Sequence, residues 1–386
     1  MVSKINWNKL LPVFMSFIVM GFVDIVGVST GYIQKDFNLP DNLAQLIPSM
    51  TFIWFFFLSV PVGIFQDKFG KKNILNLGMA LSGVGMLIPF ISYSFPIMLT
   101  AFVLLGIGNT IVQVAANPLL QDVSPKEKFS SFMSLTQFVK AIVSLLGPII
   151  TAFVTIQFGD WKLVFAVYAI TSLIAVLWLY FTKIEESGSD KTKTPATFKS
   201  CFSLLKNPFI LMMVVGIFLT VGADVGMNSN IQNYMMNVFG WDIDKASLGI
   251  SLYFIGLMIS RFLGAILLNF IKPQLFLSAT VTIALLSLVL MLFATNPTVG
   301  LIAIFLVGFG SGNLFPLIFS ITVNKMPNRS NEISGLMIMA VSGGAFIPPI
   351  MGVISKSFGN LASLTVLILC MVYLFFISIV KPKKLL

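Results

Sequence analysis

The stretch KIEESGSDKTKTPATFK, residues 183–199, interrupts an otherwise strongly apolar chain. It carries a proline and too many charges to cross a bilayer, which is typical of a solvated linker. Six apolar runs of membrane-spanning length precede this stretch and six follow it. We therefore expect an all-α membrane protein of twelve transmembrane helices in two pseudo-symmetric six-helix bundles, residues 1–182 and 207–386, joined by a linker over 183–206.

The composition excludes several other classes of protein. Of the 386 residues, 57% are hydrophobic and only 10% are charged, too few to cover a water-soluble globule. Twelve spans leave no length for an appended catalytic domain, so no enzyme activity is expected. The chain has two cysteines and no histidine, which argues against a disulfide framework or a zinc site. We expect no cofactor.

The predicted spans are bounded by glycine, proline or charged residues. They cover residues 10–35, 43–65, 73–92, 96–122, 128–157 and 162–182 in the first half, and 207–238, 244–269, 273–294, 298–325, 331–355 and 361–380 in the second.

The positive charge follows membrane topology. With the N-terminus inside, 18 lysines and arginines face the cytoplasm and 4 face outwards. Both termini are therefore expected in the cytoplasm, with the protein in a bacterial inner membrane. The net charge of +10 needs no nucleic-acid partner.

Short similarities recur at matching positions of the two halves, which indicates duplication. DIVGVSTGYIQ begins at Asp24 in span 1, and DVGMNSNIQNY begins at Asp224 in span 7. Spans 4 and 10 share a Gly-x-Gly sequence, at 106–108 and 308–310. Spans 5 and 11 share a proline, at Pro148 and Pro349. Duplicated six-helix halves are typical of transporters that rock around a central site.

The loop between spans 2 and 3 contains a compact motif of glycines and charges. Its residues are Gly63, Asp67, Lys68, Gly70, Lys71 and Lys72. This motif resembles the GxxxD(R/K)xG(R/K)(R/K) signature of the major facilitator superfamily, which implies a latch at the cytoplasmic gate. The alternative is that its lysines only fix topology.

Three further motifs carry a narrower resemblance. They are Ala115-Ala116-Asn117-Pro118 in span 4, Gly222-Ala223-Asp224-Val225 in span 7, and residues 342–348, SGGAFIP, in span 11. Together they resemble the fucose:proton symporter family, which includes glucose/galactose transporters, and the resemblance implies a monomer. Gln113 stands where that family has an acid before the span 4 motif, and Asp224 stands where many relatives have glutamate.

Polar side chains recur on single faces of the spans. Asn109, Gln113 and Asn117 follow each other at intervals of four along span 4, and Asp224, Asn228 and Gln232 do so along span 7. Amides can both donate to and accept from sugar hydroxyls. The predicted substrate-binding residues are Asn109, Gln113, Asn117, Gln137, Asn228, Gln232 and Asn313. The alternative is that these amides form hydrogen bonds between helices.

Four charges lie deep in predicted spans, where an unpaired charge is costly. Asp24 and Lys140 of the first half are expected to approach each other, and Asp24 is the predicted site for a coupling ion, Na⁺ or H⁺. Lys140 could instead hold an acidic substrate. Asp224 and Arg261 form the second predicted pair, a structural one, because arginine does not usefully deprotonate.

Two expectations concern irregular helices. Ser29 and Thr30 could add ligands for an ion only if span 1 unwinds near Gly27 and Gly31. Kinks or breaks are expected at Gly147-Pro148, Phe315-Pro316 and Pro348-Pro349.

Together these features predict a secondary active transporter that imports a monosaccharide or similar polyhydroxylated solute by alternating access. Two alternatives remain open. A drug/proton antiporter would share the motif after span 2, and a non-transporting membrane sensor could use the same bundle.

Overall fold

The computed structural model describes residues 6–39, 46–186, 197–241 and 243–380, so the middle of the predicted linker, 187–196, lies outside the described residues. All regular structure in these ranges is helical, and twelve helices are long and apolar enough to cross a membrane. The expected twelve-span, all-α fold is confirmed. Spans 1–6 comprise Trp7–Gly21 with Ile25–Asp36, Leu46–Phe69, Lys71–Leu87, Phe95–Val123, Phe129–Phe158 and Leu163–Phe181.

The second set of spans follows a short helix, Phe198–Ser203, in the linker. Spans 7–12 comprise Pro208–Phe239, Ile243–Leu267, Pro273–Phe293, Pro297–Ser311 with Leu314–Lys325, Ser330–Met339 with Gly343–Phe358, and Asn360–Ile379.

Three spans are interrupted, and each has an uninterrupted counterpart in the other half. Span 1 narrows to a 3₁₀ turn at Phe22–Asp24, span 10 breaks at Gly312-Asn313, and span 11 passes through a 3₁₀ turn at Ala340–Ser342. Spans 7, 4 and 5 are continuous. The break in span 1 therefore falls at Asp24 itself, and the helix is continuous past Gly27 and Gly31, so the unwinding that would let Ser29 and Thr30 join an ion site is not present.

Of the three proline positions where kinks or breaks were expected, only Phe315-Pro316 lies beside a break, the one at Gly312-Asn313. Pro148 and the pair Pro348-Pro349 lie inside continuous helices. At Pro316 and Pro118, the missing proline N–H leaves the carbonyl oxygen four residues earlier without its usual helix hydrogen bond. A side chain from another helix donates a hydrogen bond to that oxygen instead. Pro316 thereby frees the Gly312 oxygen, which accepts a hydrogen bond from Nε of Arg261 at 3.1 Å.

Pro118 of span 4 has the same effect. It frees the oxygen of Val114, which accepts a hydrogen bond from the hydroxyl of Ser334 at 2.7 Å. Each proline thus creates an acceptor inside the bundle where an unbroken helix would offer none.

The chain divides into two compact units that differ slightly from its two halves. The first contains residues 1–129, 136–201 and 326–339, and the second contains 130–135, 202–325 and 340–386. The first unit thus includes the first turns of span 11, and the rest of span 11 belongs to the second unit. In the same way, the second unit includes the first turns of span 5, and the rest of span 5 belongs to the first unit.

The glycine repeat of spans 4 and 10 plays an equivalent part in each unit. A Cβ at Gly106 would coincide with the carbonyl oxygen of Thr51 in span 2, and one at Gly308 with that of Tyr253 in span 8. Glycine is needed at both positions because the backbones touch. The predicted internal similarity therefore reflects the same close helix contact, made once in each unit.

Candidate transport site and gate

Asp24 is held in the turn that interrupts span 1, and its side chain is exposed. Ser144 of span 5 donates a hydrogen bond to the Asp24 carboxylate, and the same hydroxyl lies 3.0 Å from the carbonyl oxygen of Lys140. An exposed carboxylate halfway along an apolar span is costly against lipid but tolerable in a water-filled cavity.

The expected ion pair between Asp24 and Lys140 is not formed. The two helices do pack together, since the backbone of Lys140 lies against Gly21. However, the Asp24 carboxylate accepts its hydrogen bond from Ser144, one turn beyond Lys140. Among the residues with described positions, no salt bridge joins Asp24 to Lys140. The charges are thus on adjacent helices without neutralising each other directly.

The amides of span 4 form a ladder. Gln113 donates to the oxygen of Asn109 at 2.9 Å, and Asn109 donates to the carbonyl oxygen of Met20 in span 1 at 2.9 Å. Asn117 donates to the carbonyl oxygen of Gln113 at 2.9 Å. Asn109 is fully buried, so its amide ties span 4 to span 1 beside the Asp24 turn, which is the alternative role that the sequence left open.

The other predicted substrate residues differ in their surroundings. Asn313 is fully buried at the break in span 10, where its amide donates to the carbonyl and hydroxyl oxygens of Ser260 at 2.5 and 3.0 Å. It therefore stabilises contact with span 8. Gln137 is buried in span 5, whereas Asn228 and Gln232 are half-buried on span 7.

In the second unit, Tyr253 of span 8 donates a hydrogen bond to the Asp224 carboxylate. Arg261 lies on the same helix as Tyr253, two turns further along, and donates to the carbonyl oxygen of Gly312. The pairing of Asp224 with Arg261 stays a prediction, and Tyr253 is an additional partner for the acid.

The motif after span 2 makes a specific contact with the start of span 11, within the first unit. Asn331 donates to the carboxylate of Asp67 at 2.6 Å. A Cβ at Gly63 would lie 2.7 Å from the carbonyl oxygen of Asn331 and 3.1 Å from Cα of Gly335, so only glycine allows this approach. The first turns of span 11 are therefore fixed on span 2 by backbone proximity and one amide.

Lys71 and Lys72, at the start of span 3, each have a defined partner. Nζ of Lys71 forms a buried salt bridge of 2.7 Å with Asp122 at the end of span 4. The carboxylate of Glu186, in the linker, accepts from the backbone N–H groups of Lys71 and Lys72 at 2.6 and 3.0 Å. An acid at a helix N-terminus is favoured by the helix dipole, so the linker is attached to the motif.

A second set of charges joins the linker helix to span 11. Arg329 contacts both oxygens of Glu332, at 2.5 and 2.6 Å, and also donates to the carbonyl oxygen of Ser200 at 3.0 Å. The Ser200 hydroxyl donates to Glu332 at 2.6 Å. Neighbouring Cys201 is fully buried, and this burial, with the nearby Glu332 carboxylate, raises the pKa of the thiol to about 12.

We refer to these residues of the first unit together as the gate cluster. Its members are Asp67, Lys71, Asp122, Glu186, Ser200, Arg329, Asn331 and Glu332.

The second unit has an uncharged equivalent. Ser131, at the start of span 5, donates to the carbonyl oxygen of Ala265, and Asn269 donates to the Ser131 hydroxyl at 3.1 Å. The hydroxyls of Ser130 and Ser320 lie 2.8 Å apart. Asn269 thus stands where the first unit has Asp67, and neutral hydrogen bonds replace the charged ones.

The motif, the repeat and the helix count agree with a comparison with known proteins. A family model described as Major Facilitator Superfamily matches residues 13–349. The chain belongs to this superfamily. A glucose/galactose transporter of Brucella abortus biovar 1 (strain 9-941) is 24% identical over 385 residues, covering 95% of this chain and 92% of the relative.

A sequence relative and a solved structure both point to fucose:proton symporters within the superfamily. The L-fucose-proton symporter of Escherichia coli (strain K12) is 23% identical over 364 residues, 85% of this chain and 82% of its own. The crystal structure of FucP in the outward conformation matches with a TM-score of 0.85 at 20% identity, covering 96% and 98% of the two chains. The resemblance to the fucose:proton symporter family within the superfamily is confirmed.

Several residues of this superfamily member were not predicted from the sequence. Asp122 and Glu332 lie at the ends of spans 4 and 11, where charges are ordinary, and Glu186 lies in a charged linker. A signal did exist for Asn331, because it stands at the start of a span that the two-fold repeat pairs with span 5. No sequence pattern pointed to Tyr253 as a partner for Asp224, since nothing in the sequence gives the distance between spans 7 and 8.

Proposed function

We propose that this protein is a secondary active transporter that takes up a monosaccharide, or a similar polyhydroxylated solute, together with Na⁺ or H⁺. It would act as a monomer in a bacterial inner membrane with both termini in the cytoplasm. The proposal rests on superfamily membership, on relatives named as glucose/galactose and fucose transporters, and on polar side chains inside the spans.

The observation that carries the proposal is the exposed carboxylate of Asp24 in the interrupted turn of span 1, hydrogen-bonded to Ser144 and lacking a salt bridge to Lys140. Such a carboxylate can take up a proton or a sodium ion. Occupancy would remove the attraction between Asp24 and the cation one helix away and so favour a different arrangement of spans 1 and 5.

For the substrate, we propose contacts from Gln113, Asn117 and Gln137 of the first half and from Asn228 and Gln232 of the second. Asn117 has a buried side-chain oxygen without a hydrogen-bond partner among the described residues, and a sugar hydroxyl could donate to it. Asn109 and Asn313 instead act by holding span 4 to span 1 and span 10 to span 8.

The gate cluster would hold the cytoplasmic ends of the spans in one state of the transport cycle. Its hydrogen bonds must break for span 11 to leave span 2, and binding of ion and sugar would supply that free energy.

A thermal-shift screen of the purified protein tests the proposal. Hexoses, deoxyhexoses and sugar acids are added with and without Na⁺ and at several pH values. A sugar that raises the midpoint only with Na⁺ indicates sodium coupling, and one whose effect grows on acidification indicates proton coupling. Stabilisation by lipophilic cations and by none of the sugars would favour the drug antiporter instead.

A further inference from the structure

A groove at the membrane surface lies between the start of span 1 and the end of span 6, in the first unit. Its volume is about 420 Å³. Its polar lining consists of Asn6, Asn8 and Thr182, together with two cations, Lys9 and Lys183. None of its lining residues belongs to the gate cluster, although Lys183 lies three residues before Glu186 of that cluster.

The groove is electropositive for two independent reasons. Neither Lys9 nor Lys183 forms a salt bridge with any residue that the structure describes, and the nearest acid along the chain, Glu185, does not line the groove. In addition, the first turn of span 1 contains no acid, and Asn6 provides no side-chain cap. The positive end of the helix dipole therefore adds to the two lysine charges.

Apolar side chains beside these cations place the groove at the level of lipid headgroups. Leu11 and Trp178 complete the lining, and they are 42% and 43% exposed. Tyr180 and Phe181, on the last turn of span 6, are 64% and 77% exposed. Exposed aromatic residues at the end of a span are typical of the bilayer interface, where one face meets acyl chains and the other meets water.

We propose that this groove binds the headgroup of an anionic phospholipid. The two ammonium groups would contact the phosphate, while Trp178 and Leu11 would pack against the glycerol and upper acyl chains. Zwitterionic phosphatidylcholine would bind more weakly, because the positive charge of its choline offsets the attraction of its phosphate to the two lysines.

Native mass spectrometry of the full-length, delipidated protein tests this proposal. Dioleoyl phosphatidylglycerol, dioleoyl phosphatidylcholine and soluble glycerol 1-phosphate are titrated separately. We expect phosphatidylglycerol to bind at least tenfold more tightly than either of the others. Lys9→Gln with Lys183→Gln should weaken that binding about 25-fold, or about fivefold for each lysine charge removed.

The matched control is Lys126→Gln with Lys128→Gln, which removes the same charge from the loop between spans 4 and 5. It should leave phosphatidylglycerol affinity within twofold of the unmodified protein. Equal affinity for the two lipids, or equal losses in the two double variants, would overturn the proposal. Binding of glycerol 1-phosphate as tight as that of the lipid would show a site for free phosphate and overturn the lipid assignment. Thermal midpoints of both variants confirm that they are folded.

Discussion

Single polar side chains in this transporter either join neighbouring helices or remain available to a ligand, and the two groups differ in how deeply they are buried. Asn109 and Asn313 are fully buried and bonded to neighbouring helices, whereas Asp24 is exposed and held by one serine. Asn109, whose amide group donates to Met20 and whose oxygen accepts from Gln113, gains little from a ligand. An exposed carboxylate within a span remains available to an ion.

The first prediction concerns Asp24. Asp24→Asn keeps the hydrogen-bond acceptor for Ser144 but removes the charge that an ion would neutralise. We expect gradient-driven uptake to fall at least 100-fold in proteoliposomes while sugar counterflow persists. Asp160→Asn, an acid paired with Lys162 at 3.4 Å outside the spans, is the control and should be unaffected. Unchanged ion dependence in Asp24→Asn would show that coupling lies elsewhere.

The second prediction concerns the salt bridge between Lys71 and Asp122, which is almost completely buried. Removing one partner leaves an uncompensated buried charge, at a cost of about 3–5 kcal/mol. Lys71→Met and Asp122→Leu should therefore each lower the thermal midpoint strongly. The double variant should recover most of that loss, because it buries no lone charge. Equal midpoints for the single variants and the parent would contradict a stabilising pair.

The third prediction uses the Cys201 thiol, whose pKa is raised to about 12 by burial and by Glu332. Only the thiolate reacts with maleimides. Since the pKa lies above the range tested, the labelling rate should rise about tenfold per pH unit from pH 7 to 9 without levelling.

The measurement is made with Cys370→Ser, so that Cys201 is the remaining thiol. The comparison is Lys199→Cys, an exposed position nearby, in a protein lacking both native cysteines. Its rate should begin to level as the pH approaches the ordinary thiol pKa. A Cys201 rate that levels off below pH 9 would show an unperturbed, accessible thiol.

At the scale of elements, the positions of helix breaks decide which backbone groups are available. Pro118 and Pro316 each free a carbonyl oxygen. Ser334 donates a hydrogen bond to the first oxygen, and Arg261 donates one to the second. The helix geometry therefore couples a proline in one span to a polar side chain in another.

The fourth prediction concerns the contact of span 2 with span 11. Gly63→Ala places a Cβ against the backbone of Asn331 and Gly335, neither of which can move without separating the helices. Such overpacking costs about 1–3 kcal/mol. We expect a lower thermal midpoint and severalfold faster labelling of Cys201, because the contact that covers this region is loosened.

Gly352→Ala is the matched control, since nothing lies within 4 Å of a Cβ at that position of span 11. It should leave both the midpoint and the labelling rate unchanged. Equal behaviour of the two alanine variants would show that the close contact at Gly63 does not hold span 11.

Sequence patterns predict the elements better than the contacts between them. Hydropathy and length fix the twelve spans, and the glycine repeats of spans 4 and 10 reflect a real equivalence. The break in span 1 lies at Phe22–Asp24, before Gly27 and Gly31, because local glycine content does not determine where tertiary contacts interrupt a helix. Likewise, a stripe of amides identifies a polar face but not whether its partner is a helix or a solute.

At the scale of the whole molecule, the two units use different chemistry for equivalent contacts. Charged groups fix the start of span 11 in the first unit, whereas Ser131 and Asn269 fix the start of span 5 in the second. Charged and buried contacts are costly to break, so we expect the gate cluster to limit the rate of opening more than its neutral equivalent does.

The most direct measurement is sugar uptake by the purified protein in proteoliposomes. An inward gradient of Na⁺ or H⁺ is imposed, and each of a set of labelled monosaccharides is added outside. We expect at least one monosaccharide to accumulate inside above its external concentration. An ionophore should abolish this accumulation, and Asp24→Asn should fail to produce it. Equilibration without accumulation under either gradient, or gradient-driven extrusion of lipophilic cations with no sugar transport, would contradict this expectation.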